Sequence, residues 1–348
     1  MNQEKNVRGK KIRSAVISVI VGGIVVWFLL SKIDLKEIPR AIGNISLQSL
    51  AIAFLLHVIA TFLKAVRFKV ILKSGISLKH LFPIVSLYMF FANILPMRSG
   101  DVLYVYLLKK QAQTSGTKGI ASLVIGAIAD LVVILVGFLV VGFYLGDALA
   151  HGISYFFSVL EHQAGTLAQR ARDNIPSLII TAVFLAVGFA VLVMIGRKSR
   201  NRQHRFWRYM STAKSKIQEV GREVGDTPID MRLLGIFVCS VLIIAFRFGT
   251  QCYLVRSMGI NISIWKLNFA LLFGALFALL PIHGPAHFGT MEAPWVVILY
   301  LLGVSEGDAI TSAFGLHIII IIYSIVMGLY GALSLKILKT RRDTEVHI

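Results

Sequence analysis

Residues Leu81 to Leu108 read LFPIVSLYMFFANILPMRSGDVLYVYLL, and the fold turns on whether this stretch crosses a membrane or turns back inside one. Its first apolar run, Leu81–Pro96, falls short of the roughly 20 helical residues that span a hydrocarbon core. It ends in proline, passes through Met97-Arg98-Ser99-Gly100-Asp101, and resumes as a second short run, Val102–Leu108. The flanks decide the matter. Lys64–His80 carries five Lys/Arg and Lys109–Lys118 carries three, and basic loops mark the cytoplasmic side. Both flanks therefore share a face, and the stretch between them enters the membrane and returns.

A second interrupted stretch has the same grammar. Leu267–Pro281 and Ala293–Leu302 are short apolar runs joined by Ile282-His283-Gly284-Pro285-Ala286-His287-Phe288-Gly289-Thr290-Met291-Glu292. By the same parity it dips in from the outside. Working outward, six stretches are long enough to cross: Ser14–Ser31, Ser46–Leu63, Ile120–Leu145, Ser177–Ile195, Leu233–Val255 and Ala309–Leu335. The run after the basic N-terminus lacks a small-x-small cleavage site, so it reads as a retained first span rather than a signal peptide. The N-terminus, Gly196–Asp230 and the segment after Leu335 carry five, nine and four Lys/Arg, whereas Lys32–Ile45, Gly146–Pro176 and Arg256–Lys266 carry three, two and two. Both termini are expected in the cytoplasm, with the protein multi-pass in the cytoplasmic (inner) membrane. The expected fold is an all-α polytopic membrane protein: six full transmembrane helices plus two re-entrant helical hairpins, in one integral membrane domain over 1–348.

Composition agrees. Of 348 residues, 56% are hydrophobic and only 15% charged, with a mean hydropathy of +0.77. So much apolar surface excludes a water-soluble monomer. The net charge of +19 would suggest nucleic acid in a soluble chain, but here most of it orients loops, and no nucleic-acid partner is expected. Cys239 and Cys252 lie in one apolar stretch and form neither a disulfide framework nor a metal site.

The halves resemble each other. Arg67-Phe68, Gly75-Ile76-Ser77-Leu78 and Leu95-Pro96 recur as Arg247-Phe248, Gly259-Ile260-Asn261-Ile262 and Leu280-Pro281. Gly75 to Pro96 is 21 residues and Gly259 to Pro281 is 22. Each half, 14–145 and 177–335, runs span, span, hairpin, span, so the second copy is inverted. Inverted repeats with broken helices that meet near the midplane characterise secondary transporters.

The hairpin tips are where chemistry is expected, because non-helical backbone at depth must be buried in protein or line a wet cavity. A half-helix starting at a tip offers free N–H groups and the positive end of its dipole. Arg98, Ser99, Gly100 and Asp101 at the first tip, and Gly289 and Glu292 at the second, are candidate substrate-binding residues. Arg247, near the middle of a span, joins them, since a guanidinium fork suits phosphate or carboxylate oxygens. Asp130, Arg67 and His287 are candidate coupling or structural charges; for Asp130 a salt bridge and a substrate contact are equally open. Asp101 and Glu292 are either complements to helix N-termini or part of ion coupling. His57 and His317 read as hydrogen-bonded core histidines. His283 and His287 are separated by Gly284-Pro285 and lack a third ligand at suitable spacing, so no metal is expected. The loop 196–230 carries an apolar stripe (Phe206, Met210, Ala213, Ile217, Val220) beside Arg202, Arg205 and Arg208, which suits either an interfacial helix on anionic lipid or packing on the bundle. Ile153, Phe156, Phe157, Leu160 and Leu167 form a similar stripe outside.

Taken together, Pro96, Arg98, Gly100 and Asp101, then Pro285, Gly289 and Glu292, with Asp130 between, resemble the motifs of a known family. The chain is similar to the transmembrane region of lysylphosphatidylglycerol synthases and their stand-alone flippase-like relatives, over roughly Val16 to Lys336. The resemblance implies the same membrane fold and a role in handling lipids. Departures are Tyr104 and Met291 where the family often has arginine, and Ala286-His287 in place of tandem glycines. The full synthases add a soluble aminoacyl-transfer domain, for which the thirteen residues after Leu335 leave no room, so aminoacyl transfer is not expected. The reading is a translocase or flippase-like protein for an anionic lipid or lipid-linked phosphate, without cofactors. The alternatives are a membrane-embedded lipid-modifying transferase using Asp101, Asp130 or Glu292, or an accessory subunit of a lipid- or glycolipid-modifying enzyme. Expected partners are anionic membrane lipids and, in the last case, that enzyme.

Overall fold

The computed structural model describes residues 34, 36–73, 76–95, 99–112, 114–173, 231–278 and 285–345, with single positions between 23 and 31. For 99, 112, 146–173, 285 and 339–345 it describes the backbone only. The regular structure among these residues is helical throughout: α1 (Glu37–Gly43), α2 (Leu47–Leu72), α3 (Leu78–Ile94), α4 (Ser99–Ala112), α5 (Gly116–Asp173), α6 (Met231–Ser257), α7 (Ile264–Phe277), a 3-10 turn (Pro285–His287), α8 (Glu292–Leu301) and α9 (Glu306–Glu345). The chain divides into two compact units, Met1–Gly146 with Glu223–Ile348, and Asp147–Arg222. The candidate site lies entirely in the first.

Among the described residues, four segments are long and apolar enough to cross a membrane: Leu47–Leu72, Gly116–Leu145, Met231–Ser257 and Glu306–Leu338. They cover the expected spans at Ser46–Leu63, Ile120–Leu145, Leu233–Val255 and Ala309–Leu335. Expected spans Ser14–Ser31 and Ser177–Ile195, and the amphipathic stripe of the 196–230 loop, lie wholly or largely outside the described residues. The crossing segments leave large apolar side chains in the open: Phe143 is 85% exposed, and Leu139, Leu329 and Leu333 are also exposed. Such surface is stable only against hydrocarbon.

One expected boundary needs correction. The span expected to end at Leu63 runs on, because α2 continues to Leu72 and ends at Lys73 in the left-handed region (φ 47). Its start is fixed by Ser46, whose hydroxyl accepts from the Ser49 amide at 3.1 Å. Lys64 and Arg67 therefore lie on a helix long and apolar enough to cross a membrane, not in a loop. After Leu145, α5 continues without a break to Asp173.

The interrupted stretches form two pairs of short helices, α3 with α4 and α7 with α8, each packed on its partner. Glycine is required at the first junction. A Cβ on Gly100 would lie 2.5 Å from the backbone nitrogen of Ala92, so α4 starts directly against the end of α3. Packing between the halves is extensive. Helices α2 and α6 lie against each other, and α2 contributes the buried small residues Ala53 and Ala60 that permit close approach. Helix α3 lies on α9: a Cβ on Gly331 would come within 2.6 Å of the Pro83 carbonyl, and the Asn93 amide donates to Ser324 Oγ at 2.7 Å. Helix α7 lies on α5, with Phe138 edge-on to Phe269 and Tyr144 stacked on Trp265 at 4.2 Å. The turn Pro285–His287 packs against α3, so the second interruption reaches the first hairpin.

Candidate functional site

Helix periodicity sets one face of α2. His57, Ala60, Lys64 and Arg67 follow at three- and four-residue steps, so they project to the same side, toward α6 and α5. Arg67 is only 1% exposed and is bound by the Asp130 carboxylate of α5, with its second N–H at 3.2 Å from Oδ2. It also donates to Ser240 Oγ of α6 at 2.6 Å. A Cβ on Gly126 would sit 3.0 Å from the guanidinium, so glycine on α5 makes room for it. Asp130 and Arg67 thus form the salt bridge that was one of the two roles open to Asp130. Tyr104, fully buried, stacks near Phe68 at 4.7 Å and shares a hydrogen bond with Ser122. Tyrosine there spares the core a further buried cation.

One turn earlier on α2, Lys64 has a different setting. Its ammonium donates to Met89 Sδ at 3.2 Å and lies 5.1 Å from the Tyr88 ring centroid, with no carboxylate in contact among the described residues. The Tyr88 hydroxyl donates to Asp101 Oδ1 at 3.0 Å. Asp101, in the first turn of α4, is therefore tied back to α3. Of the first tip, Pro96, Met97 and Arg98 and the Ser99 side chain lie outside the described residues.

The second tip reaches the interior. Gly289 is buried with φ 77, while Ala286 and His287 adopt φ 47 and 59, a conformation that glycine takes without strain. Glu292, 1% exposed, receives His317 Nδ1 of α9 at 2.5 Å, and Phe288 stacks on the same imidazole at 4.6 Å. The other carboxylate oxygen, Oε2, is buried without a hydrogen-bond partner among the described residues. His317 is thus hydrogen-bonded, as expected of it. His57 is buried against Tyr323 at 5.8 Å. Among the described residues no group of three His, Cys, Asp or Glu is placed to hold a metal.

Arg247 is the focus. It retains exposed surface and makes no hydrogen bond or ion pair among the described residues. It lines two cavities that share Asn93, Gln251 and Ile320. The larger, about 150 Å³, extends past Phe248, Leu271 and Trp295 to Met291, His287, Glu292 and His317. The smaller, about 60 Å³, is lined by His57, Thr61, Lys64, Met89 and Thr250. The structure thus brings Arg247, Glu292 and His287 to one cavity, places Asp101 and the Arg67–Asp130 pair outside the linings, and adds Lys64 and Asn93, which sequence reasoning missed. The spacing of His57, Lys64 and Arg67 on one helical face was the available signal.

Residues 15–328 match the family described as the lysylphosphatidylglycerol synthase TM region. The chain belongs to this family. It is an integral, multi-pass membrane protein related to lipid modification, and the resemblance carried by the two tips holds over nearly the whole sequence. No curated protein matches it.

Proposed function

We propose that the protein translocates an anionic lipid or lipid-linked phosphate, with the head group held in the membrane interior on Arg247. The single observation that carries this reading is the state of that arginine. A guanidinium in a membrane span is costly and should be paired, yet Arg247 has no anionic contact among the described residues and lines two cavities. A ligand that brings its own negative charge completes the site, and Arg forks match phosphate oxygens. In this reading Glu292 of the second tip flanks the head group in the larger cavity, and Arg98 of the first tip contributes a second guanidinium.

Packing supports the inverted repeat of six spans and two re-entrant hairpins that such a carrier requires. The α2–α6 pair joins corresponding spans, and each hairpin leans on the last span of the other half, α3 on α9 and α7 on α5. That reciprocity suits alternating access, in which one repeat moves against the other around a fixed site. The protein would work in the cytoplasmic membrane with both termini inside, alone or beside a lipid-modifying enzyme.

Reconstitution tests the reading. Vesicles with the full chain should speed transbilayer movement of a fluorescent anionic phospholipid, and Arg247→Ala and Arg98→Ala should each remove the acceleration. Mass analysis of the same lipid should show no chemical change. No acceleration across anionic lipids of different head group overturns translocation, and a change of lipid mass replaces it with a transferase.

A further inference from the structure

Beyond Arg247, the smaller cavity has the chemistry of an anion pocket. Two cationic side chains line it, Lys64 from α2 and Arg247 from α6, and no carboxylate does. The acids whose fields reach Lys64 are engaged elsewhere: Asp130 by Arg67, and Asp101 by the Tyr88 hydroxyl. Thioether and ring are weak partners for an ammonium, so Lys64 is held without being neutralised. The Thr61 and Thr250 hydroxyls donate to the His57 and Phe246 carbonyls and have no proton left for a ligand. The donors that remain are Lys64, Arg247, Gln251, the His57 imidazole N–H and the second amide N–H of Asn93. A volume of about 60 Å³ holds roughly four waters, the scale of one phosphate group. Arg247, Asn93, Gln251 and Ile320 also line the larger cavity, whose Phe248, Leu271 and Ala275 suit the apolar remainder of a lipid.

We infer that the smaller cavity is a phosphate subsite in which Lys64 and Arg247 clamp the phosphate of a phospholipid from adjacent helices of the two halves. The inference rests on the translocation reading only in taking that phosphate from a lipid. Because the two cations line one cavity whose lining holds no carboxylate, removing one should leave the empty protein as stable as before or more so. A purely structural lysine would behave in the opposite way.

The test uses the full chain in a non-ionic detergent, with dioctanoyl phosphatidic acid, glycerol 3-phosphate and dioctanoylglycerol as probes, read by calorimetric binding and by Tm. Phosphatidic acid should bind and raise Tm, and dioctanoylglycerol should do neither. Lys64→Gln should weaken phosphatidic acid binding at least tenfold with the unliganded Tm unchanged or higher, and Lys64→Arg should retain binding. Absence of phosphatidic acid binding, wild-type binding by Lys64→Gln, or a marked fall in its unliganded Tm overturns the subsite. Glycerol 3-phosphate binding as tightly as phosphatidic acid overturns the lipid source. Lysine-dependent binding in a protein that moves no lipid in vesicles supports the subsite and removes the translocation reading, so the two fail separately.

Discussion

Arg67 and Arg247 each open an Arg-Phe dipeptide, in two helices that pack against each other, and they have opposite fates. Arg67 is buried, bound by Asp130 and capped by Ser240. Arg247 is exposed to two cavities and binds neither acid nor hydroxyl among the described residues. The offset between the arginines is 247 − 67 = 180 residues, and the same offset takes Ser240 to 240 − 180 = 60, which is Ala60. Ala60 lines the smaller cavity and offers no acceptor. Arg67 thus has a hydroxyl and a carboxylate for partners, and Arg247 has neither among the described residues.

The comparison is broken most strongly at Arg67. Removing one partner from a buried pair leaves a charge without compensation, which costs about 3–5 kcal/mol. Arg67→Ala should therefore lower Tm sharply or abolish folding, and Asp130→Ala should do the same. The double change Arg67→Met with Asp130→Leu should recover much of the loss, because buried ion pairs are often replaceable by apolar groups of similar volume. Arg247→Met, by contrast, should keep or raise Tm in the same detergent. If Arg247→Met unfolds the protein as readily as Arg67→Ala does, the contrast between the two arginines is wrong.

A finer test restores the missing hydroxyl. Ala60→Ser places on α2 what Ser240 provides on α6, an acceptor facing the opposite arginine. A hydrogen bond to a charged group is worth about 1.5–3 kcal/mol when made inside a protein. The new bond competes with the ligand for Arg247, so phosphatidic acid binding should weaken by about tenfold, corresponding to about 1.4 kcal/mol. Tm of the empty protein should rise by a few degrees at most, because the new bond is made in that state. Unchanged binding would mean that position 60 does not face Arg247 as Ser240 faces Arg67.

What could be read in the sequence follows from where its signals come from. Pro96 and the polar residues after it stop α3 close to the expected place, and Glu292 opens α8 as a helix-start charge, so the bounds of the short helices were legible. Asp130 and Arg247 stood out because ionised groups are rare in apolar runs. Lys64 did not, because hydropathy treats a basic residue near a span end as a loop charge whichever way it points. Arg67 was singled out only through the Arg-Phe it shares with Arg247. The Arg67–Asp130 pair joins residues 63 positions apart, and the Ser240 contact joins residues 173 apart. Neither follows from periodicity along one helix. Cavities are still less legible, since they are defined by what four helices fail to fill.

The smallest effect concerns the second tip. Ala286 and His287 occupy φ 47 and 59, a region that glycine takes without strain. Holding an L-residue in that region costs roughly 1–2 kcal/mol, whereas glycine avoids the clash but loses more freedom on folding, by about 0.4–1 kcal/mol. The balance favours glycine by about 0.5–1 kcal/mol, so Ala286→Gly should raise Tm by a degree or two. His287 is unsuitable for this test because its ring lines the larger cavity. The Ala286 side chain does not line either cavity, so binding of phosphatidic acid should be unaltered. A fall in Tm would mean that the methyl group contributes packing at the tip worth more than the strain. A change in binding with Tm constant would mean that tip rigidity, rather than side-chain contact alone, controls access to the cavities.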